Sequence, residues 1–121
     1  MNHSIKSIRP FIGAKNFDLS RSFYSDLGFK ETALGGNFSV FEMGNFAFYL
    51  QDAYVKDWVD NTMIFLEVED LDAFWTKLEA LNLTTKYNEV KLIPIRDLHW
   101  GRVFFLHDPS GILWQIGAFL H

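Results

Sequence analysis

The feature that most constrains the fold of this chain is an internal repeat with a period of 54 residues. Displaced by that interval, Ile12 falls on Leu66 and the segments 12–18 and 66–72 match without a gap. An internal duplication is the simplest explanation for a match of this kind. In a chain of 121 residues, the duplication predicts two small modules that belong to one compact domain.

The first copy has the pattern of one strand, one helix and three further strands. The stretch around Pro10 is short and apolar, which favours a strand at a sheet edge or a bulge. Asn16 or Asp18 is suited to cap the helix that follows, and Gly28 is suited to end it. Glycine-containing turns divide residues 29–51 into three apolar runs, and this predicts three strands.

The second copy predicts the same order of elements. Residues 62–68 alternate as a strand, Asp70 is a suitable N-cap, and a helical stripe of apolar side chains follows it. Residues 84–89 then favour a sixth strand, and residues 90–100 favour a loop that contains Pro94.

A β-hairpin is predicted at the end of the second copy. The apolar runs 103–106 and 112–116 flank Asp108-Pro-Ser-Gly111, whose proline and glycine suit a tight turn. Because side chains alternate along a strand, Gln115 lies on the face opposite Trp114. Whether Gln115 lies in a binding cavity therefore depends on which face of this strand the helix leaves uncovered.

Two such modules predict an α+β fold with about eight strands and two helices. Module one covers about residues 5–52, module two covers about residues 60–119, and the linker spans about residues 52–61. One helix covers only one face of its four-stranded sheet. If the sheets form a curled mixed sheet with the uncovered faces turned inward, these faces line a central cavity, a common place for a small ligand.

Composition excludes several classes of function. The chain is 49% hydrophobic and 21% charged, as expected for a folded domain. It has no cysteine, which excludes disulfides, thiolate metal sites and a cysteine nucleophile. A formal net charge of −4 argues against general nucleic-acid binding and weakly favours neutral or cationic ligands. No apolar run approaches the roughly 20 residues of a membrane span, so we expect no membrane association and a cytoplasmic location.

Three segments carry a resemblance to a known superfamily. They are Asn16-Phe-Asp-Leu-Ser-Arg-Ser-Phe-Tyr-Ser-Asp-Leu-Gly-Phe29, Leu66-Glu-Val-Glu-Asp-Leu-Asp72, and Trp100-Gly101 followed by Asp108-Pro-Ser-Gly111. In these segments the chain resembles the vicinal oxygen chelate superfamily, which includes glyoxalase I, extradiol dioxygenases, fosfomycin-resistance enzymes and bleomycin-resistance proteins. The resemblance implies a pair of βαβββ modules, often assembled as a homodimer, in agreement with the repeat.

The resemblance also implies positions for a divalent metal, which enzymes of this superfamily bind through His, Glu or Gln side chains. In register with the motifs, these positions fall on Arg9, Tyr49 (or Gln51), Met63 and Gln115. A guanidinium has no lone pair to donate, and a thioether is a poor ligand for Mg, Mn, Zn or Ni. Only Gln115 is a suitable ligand, and the histidines at positions 3, 99, 107 and 121 are too dispersed to restore the site. The sequence therefore predicts no bound metal and no other cofactor.

Ten side chains are candidates for contact with a ligand, from the superfamily register and from the strand faces expected to be uncovered. They are Arg9, Phe11, Tyr49, Met63, Phe65, Glu67, Trp100, Arg102, Phe104 and Gln115. A planar ligand can stack on the aromatic members, although ordinary core packing explains these rings equally well. Glu67 suits a cationic group, or else Arg9 neutralises it in a structural ion pair. No catalytic residue is predicted.

The expected fold, the missing metal ligands and the 17% aromatic content together predict a small-molecule-binding protein similar to the bleomycin-resistance branch. Such a protein would bind or sequester an aromatic compound, neutral or cationic, in a cleft of a homodimer and without turnover, and antibiotic resistance is one role for it. One alternative is a metal-dependent lyase, isomerase or dioxygenase of the glyoxalase type. Another is a non-catalytic dimeric interaction module.

Overall fold

The computed structural model describes residues 4–120, which form eight strands and four helices. The strands are β1 (Phe11–Gly13), β2 (Lys30–Ala33), β3 (Phe38–Met43), β4 (Phe46–Gln51), β5 (Met63–Glu67), β6 (Lys91–Leu98), β7 (Gly101–His107) and β8 (Leu113–Phe119). The helices are α1 (Phe17–Leu27), α2 (Lys56–Asp60), α3 (Leu71–Ala80) and α4 (Leu83–Lys86). The predicted α+β fold is confirmed.

The two sheets have the same strand order, which is the structural counterpart of the sequence repeat. The orders are β1-β4-β3-β2 and β5-β8-β7-β6. In each sheet the first strand pairs parallel with the last, and the other pairs are antiparallel. β1 and β5 are therefore edge strands, and Pro10, directly before β1, has the edge position that its missing N–H favours.

The two long helices begin and end where the sequence predicts. The side chain of Asn16 accepts a hydrogen bond from the N–H of Leu19 at 3.1 Å, and Asp70 accepts one from Ala73 at 3.0 Å. Of the two candidate caps for α1, the structure selects Asn16. Gly28 ends α1 with φ at 111°, a conformation that glycine adopts without strain. Among residues 4–120, no helix is long and apolar enough to cross a membrane.

The helix-facing sides of both sheets share one core. Tyr24 of α1 lies 5.8 Å from Trp114 of β8 between ring centroids, and Phe48 of β4 contacts both rings. The two faces turned away from this core, the open faces, therefore point to different sides of the chain. Within one chain the gap between the sheets is bordered mainly by helix-facing side chains, among them Phe48, Ile64 and Trp114.

The segment predicted as a sixth strand, residues 84–89, begins as the short helix α4. Two consecutive threonines favour a strand locally because their side chains are β-branched. Tertiary contacts outweigh that preference, since the hydroxyl of Tyr87 donates to Asp26 of α1 at 2.6 Å and lies 2.7 Å from the hydroxyl of Ser22. The strand prediction for this segment is wrong.

The segment predicted as a loop, residues 90–100, is mostly strand β6. Pro94 does not end this strand, because β6 is an edge strand and its pairing with β7 shifts register between Ile93 and Arg96. The irregularity accommodates a residue that donates no backbone hydrogen bond.

The linker between the modules contains helix α2, which the sequence pattern did not predict. Val59 anchors this helix and is only 2% exposed. Side chains satisfy two carbonyls at its end, because Asn61 donates to Asp57 and Thr62 donates to Trp58, each at 2.6 Å. A helix this short gives little periodic signal in the sequence.

Candidate functional site

The open face of the first sheet carries three aromatic rings, Phe11, Phe38 and Tyr49, which we call the aromatic platform. Phe11 and Tyr49 are paired across β1 and β4, and their rings stack with centroids 4.5 Å apart at an interplanar angle of 27°. The ring of Phe38 lies 6.3 Å from Phe11 and 6.2 Å from Tyr49. Phe11 is 53% exposed, so the platform presents aromatic surface to solvent.

Arg9 lies beside the aromatic platform. Its guanidinium carbon is 5.8 Å from the centroid of the Tyr49 ring. Its Nε atom is buried and has no hydrogen-bond partner among residues 4–120. The ion pair with Glu67 that the sequence left open is not formed within the described chain. The structure therefore brings Arg9, Phe11 and Tyr49 together and leaves Glu67 on the other sheet.

The open face of the second sheet carries Met63, Phe65 and Gln115, as strand alternation predicts. Gln115 donates a hydrogen bond through Nε2 to the sulfur of Met63 at 2.8 Å. Phe65 lies 5.9 Å from Trp100 and 5.6 Å from Phe119 between ring centroids. These three rings, Phe65, Trp100 and Phe119, form a second aromatic cluster.

Two candidate residues, Arg102 and Phe104, lie on the helix-facing side of the second sheet. Phe104 is fully buried, and its ring meets Trp75 of α3 edge-on with centroids 5.1 Å apart. Arg102 forms two hydrogen bonds to the carboxylate of Asp72, at 2.8 and 3.2 Å. Their predicted place on the uncovered face of the sheet is wrong, because the register of the hairpin sets Phe104 opposite the buried Ile116.

Sequence reasoning missed two rings of these clusters, Phe38 and Phe119. Both stand at the end of a strand, where local patterns fix the boundary poorly. The available signal was alternation, since Phe119 lies four residues beyond Gln115 and so shares its face. Phe38 pairs with Gln51, which lies two residues beyond Tyr49 on the same face.

A cavity of about 680 Å³ opens between the two modules. Its walls include Phe48, Ile64 and Trp114, which are helix-facing side chains of both sheets. Among the ten predicted site residues, Phe65 and Glu67 border this cavity. The cavity adjoins β5, whose outer edge pairs with no strand in the described chain. The unpaired backbone groups of this edge therefore lie next to the apolar side chains that line the cavity.

Two of the superfamily's four metal positions, Arg9 and Met63, carry side chains that are poorly suited to a divalent metal. Among residues 4–120, no three His, Asp or Glu side chains are grouped so that they could hold an ion. Arg9 is on the first sheet and has no lone pair to donate, while Met63 offers only a thioether that the Gln115 amide already contacts. This donor set does not fit Mg, Mn, Zn or Ni. His3 and His121 lie outside the described residues.

A buried polar network holds the hairpin turn in place. The hydroxyl of Tyr24 donates to Asp108 at 2.6 Å and accepts from the indole N–H of Trp114 at 2.9 Å. The other carboxylate oxygen of Asp108 accepts from the backbone N–H groups of Ser110 and Ile112. Burial raises the pKa of the Tyr24 hydroxyl and that of the Asp108 carboxyl above their ordinary values. These groups satisfy one another inside the core and lie away from the open faces.

The chain has the architecture of the paired-module α+β proteins. Its two four-stranded sheets repeat the βαβββ order, and each sheet has one open face. The family model described as the Glyoxalase/Bleomycin resistance protein/Dioxygenase superfamily matches residues 5–116. The chain belongs to this superfamily, and the resemblance seen in the sequence is confirmed. No curated protein sequence matches the chain.

Solved structures with the same fold include binding proteins and an enzyme. A bleomycin resistance determinant encoded on transposon Tn5 has a TM-score of 0.79 and 17% identity, covering 97% of this chain and 100% of that one. A bleomycin-binding protein from Streptomyces verticillus, complexed with copper(II)-bleomycin, has a TM-score of 0.76 and 22% identity, with coverage of 96% and 99%. A lactoylglutathione lyase from Agrobacterium tumefaciens has a TM-score of 0.71 and 18% identity, with coverage of 94% for both chains.

Proposed function

We propose that this protein binds planar aromatic small molecules, without a metal and without chemical turnover. The observation that carries the proposal is the aromatic platform, whose stacked Phe11 and Tyr49 rings lie on a sheet face turned away from the core. Each well-formed aromatic pair contributes roughly 0.5–1.5 kcal/mol beyond the burial of area. A ligand ring that stacks on this platform therefore needs no rearrangement of the protein, because the fold already holds the two rings in position.

We further propose that the binding cleft is formed by two copies of the chain. The open faces of one chain point to different sides, so a cleft with a sheet on each side needs a second copy. The platform of one copy would then face Phe65 and the rest of the second aromatic cluster of its partner. Exposed apolar side chains near the edge strands support such an interface, among them Ile8 and Met63.

The fold of bleomycin-binding proteins supports antibiotics with planar ring systems as candidate ligands, and resistance as a role. Glu67 supplies a carboxylate for a cationic group of such a ligand, because it is exposed and forms no ion pair in the described chain. A cytoplasmic location stays a prediction.

The enzymatic alternative is supported by the fold that this chain shares with a lactoylglutathione lyase. It is opposed by the side chains at the superfamily's metal positions, which do not suit a divalent metal. Analysis of metal content in protein purified without chelators separates the two functions. A stoichiometric divalent metal coordinated by Gln115 would favour the glyoxalase-type reaction. A dimer whose cleft is filled by its own side chains would favour the interaction module.

Isothermal titration calorimetry with bleomycin and with simple planar aromatic compounds tests the binding function. We expect a micromolar or lower dissociation constant for at least one compound, and Tyr49→Ala weakens it about tenfold because half of the stacked pair is lost. Tyr54→Ala is the matched control, since Tyr54 is 40% exposed in the linker and its ring faces the ammonium of Lys15 at 5.7 Å, not a ring of the platform. Absence of binding by every compound at high micromolar concentration contradicts the proposal, whereas absence with bleomycin alone removes only that ligand class.

A further inference from the structure

Arg9 carries a hydrogen-bond donor that the described chain leaves unsatisfied. Its Nε atom is buried and meets no acceptor among residues 4–120. A guanidinium has five N–H donors and no acceptor, so only an oxygen or another acceptor atom can pair with its free N–H group. Buried polar groups in proteins nearly always have a partner, and an exception points to a group that is missing from the structure.

The acidic side chains of the chain do not compensate Arg9. The ion pairs among residues 4–120 use the cations Arg21, Lys56, Lys86 and Arg102. On the open face of the first sheet, Glu42 of β3 lies opposite Lys30 of β2. It forms neither an ion pair nor a hydrogen bond with Arg9 among the described residues. Glu67 belongs to the other sheet. The positive charge beside the platform is therefore available to a ligand.

The position of Arg9 fixes where an acceptor on the ligand would lie. The guanidinium carbon is 5.8 Å from the centroid of Tyr49, which is stacked on Phe11. An oxygen bound to Arg9 then lies close to a ring on the platform, so a ligand that carries its acceptor next to its ring suits both contacts. A guanidinium prefers a planar carboxylate, which accepts two parallel N–H bonds.

We propose that the ligand is an aromatic carboxylate whose carboxylate is bound by Arg9 and whose ring stacks on Phe11 and Tyr49. This inference rests on the proposed binding of aromatic compounds and names the class of ligand. The net charge of −4 and the exposed Glu67 on the other sheet favour cationic groups at long range, whereas the partly exposed Arg9, whose Nε has no acceptor in the described chain, selects an anion at contact distance. Arg9 is thus the residue that determines specificity.

Three probes with one ring system test the inference by isothermal titration calorimetry: 2-naphthoate, 2-naphthylmethanol and 2-naphthylmethylammonium. We expect 2-naphthoate to bind at least about tenfold more tightly than the alcohol, and the ammonium compound to bind least tightly. Arg9→Gln weakens 2-naphthoate binding by about 10- to 100-fold, the range for a lost hydrogen bond to a charged group, and changes the alcohol by less than about threefold. Lys6→Gln removes the same charge from the same segment and leaves 2-naphthoate binding unchanged.

Equal affinity for the three probes, or preference for the ammonium compound, overturns the assignment of an anion while aromatic binding stands. Equal weakening by Arg9→Gln and Lys6→Gln also overturns it, because the effect would then come from overall charge. If the wild-type protein binds none of the three probes but binds another planar aromatic compound, the inference fails and the proposed binding of aromatic compounds stands; if it binds no planar aromatic compound, both fail. Retained binding of the alcohol by Arg9→Gln verifies that this variant is folded.

Discussion

Tyr24 joins the two modules through a single hydroxyl group. It donates to Asp108 and accepts from Trp114, and it is fully buried, so water cannot replace these bonds. We expect Tyr24→Phe to lower the free energy of unfolding by about 2–4 kcal/mol, because a buried carboxyl and a buried indole N–H lose a partner together. Urea denaturation measures this change. Tyr54→Phe removes a half-exposed hydroxyl and should change stability by less than about 0.5 kcal/mol; equal losses in both variants would contradict the role of the network.

Asp108 makes the stability of the fold depend on pH. Burial raises the pKa of its carboxyl above the unfolded value, which is near about 3.9. Its contribution to the free energy of unfolding is therefore complete below that value and is lost as pH rises through the folded pKa. We expect wild-type protein to lose stability relative to Asp108→Asn as pH is raised from about 4 to about 7. Urea denaturation at several pH values tests this, and a difference independent of pH would be contrary to it.

At the residue scale, strand alternation predicts orientation only where the strand and its register are known. Met63, Phe65 and Gln115 lie on the face that alternation gives them. Arg102 and Phe104 do not, because their face depends on pairing across the hairpin and not on their own strand. The unsatisfied Nε of Arg9 also cannot be predicted from the sequence, because its burial depends on the tertiary structure around Arg9, which includes the Tyr49 ring of another strand.

At the scale of elements, the close pairing of β7 with β8 depends on Gly101 at the start of β7. A Cβ atom at this position would overlap the backbone carbonyl of Ala118 and lie 3.0 Å from the Cα of Phe119 in β8. We expect Gly101→Ala to destabilise the protein by about 1–3 kcal/mol, because a backbone cannot move aside as a side chain can. Gly36→Ala is the control, since nothing lies within 4 Å of that position. Thermal unfolding of both variants tests the claim, which fails if Gly101→Ala is as stable as the control.

The elements that the sequence predicts well are those with their own local signals. α1 and α3 have caps and apolar stripes, and the final hairpin has its turn motif, so their positions follow from the chain itself. Residues 83–98 lack such signals. There, α4 depends on Tyr87 binding α1, and β6 depends on pairing with β7 around Pro94. Tertiary contacts of this kind cannot be derived from a local pattern.

At the scale of the whole molecule, we propose that both modules form one domain, because the helix-facing sides of their sheets share a core. The proposed dimer would extend this arrangement by covering the edge strands. Ile8, three residues before β1, is 96% exposed and should be buried by the second copy. The superfamily resemblance of the sequence implies a homodimer, but the arrangement of the two copies does not follow from the sequence, because exposed apolar residues alone do not identify their partner.

We expect the wild-type protein to be a dimer at micromolar concentration in sedimentation velocity. Ile8→Asp should raise the dimer dissociation constant at least about tenfold, because a charge is placed in an apolar interface. Leu34→Asp is the control, since Leu34 is 48% exposed beside β2, at the far edge of the same sheet from β1. A monomeric wild-type protein, or equal effects of the two variants, would refute the proposed interface.

The most direct test of the account is whether aromatic binding at the platform survives removal of metal. Calorimetric titration of the tightest-binding naphthalene probe, before and after dialysis against a chelator, gives two dissociation constants to compare. We predict that they agree within about twofold, and that Tyr49→Ala weakens binding about tenfold in both preparations. Binding that is lost on chelation and restored by Mg, Mn, Zn or Ni would contradict the account.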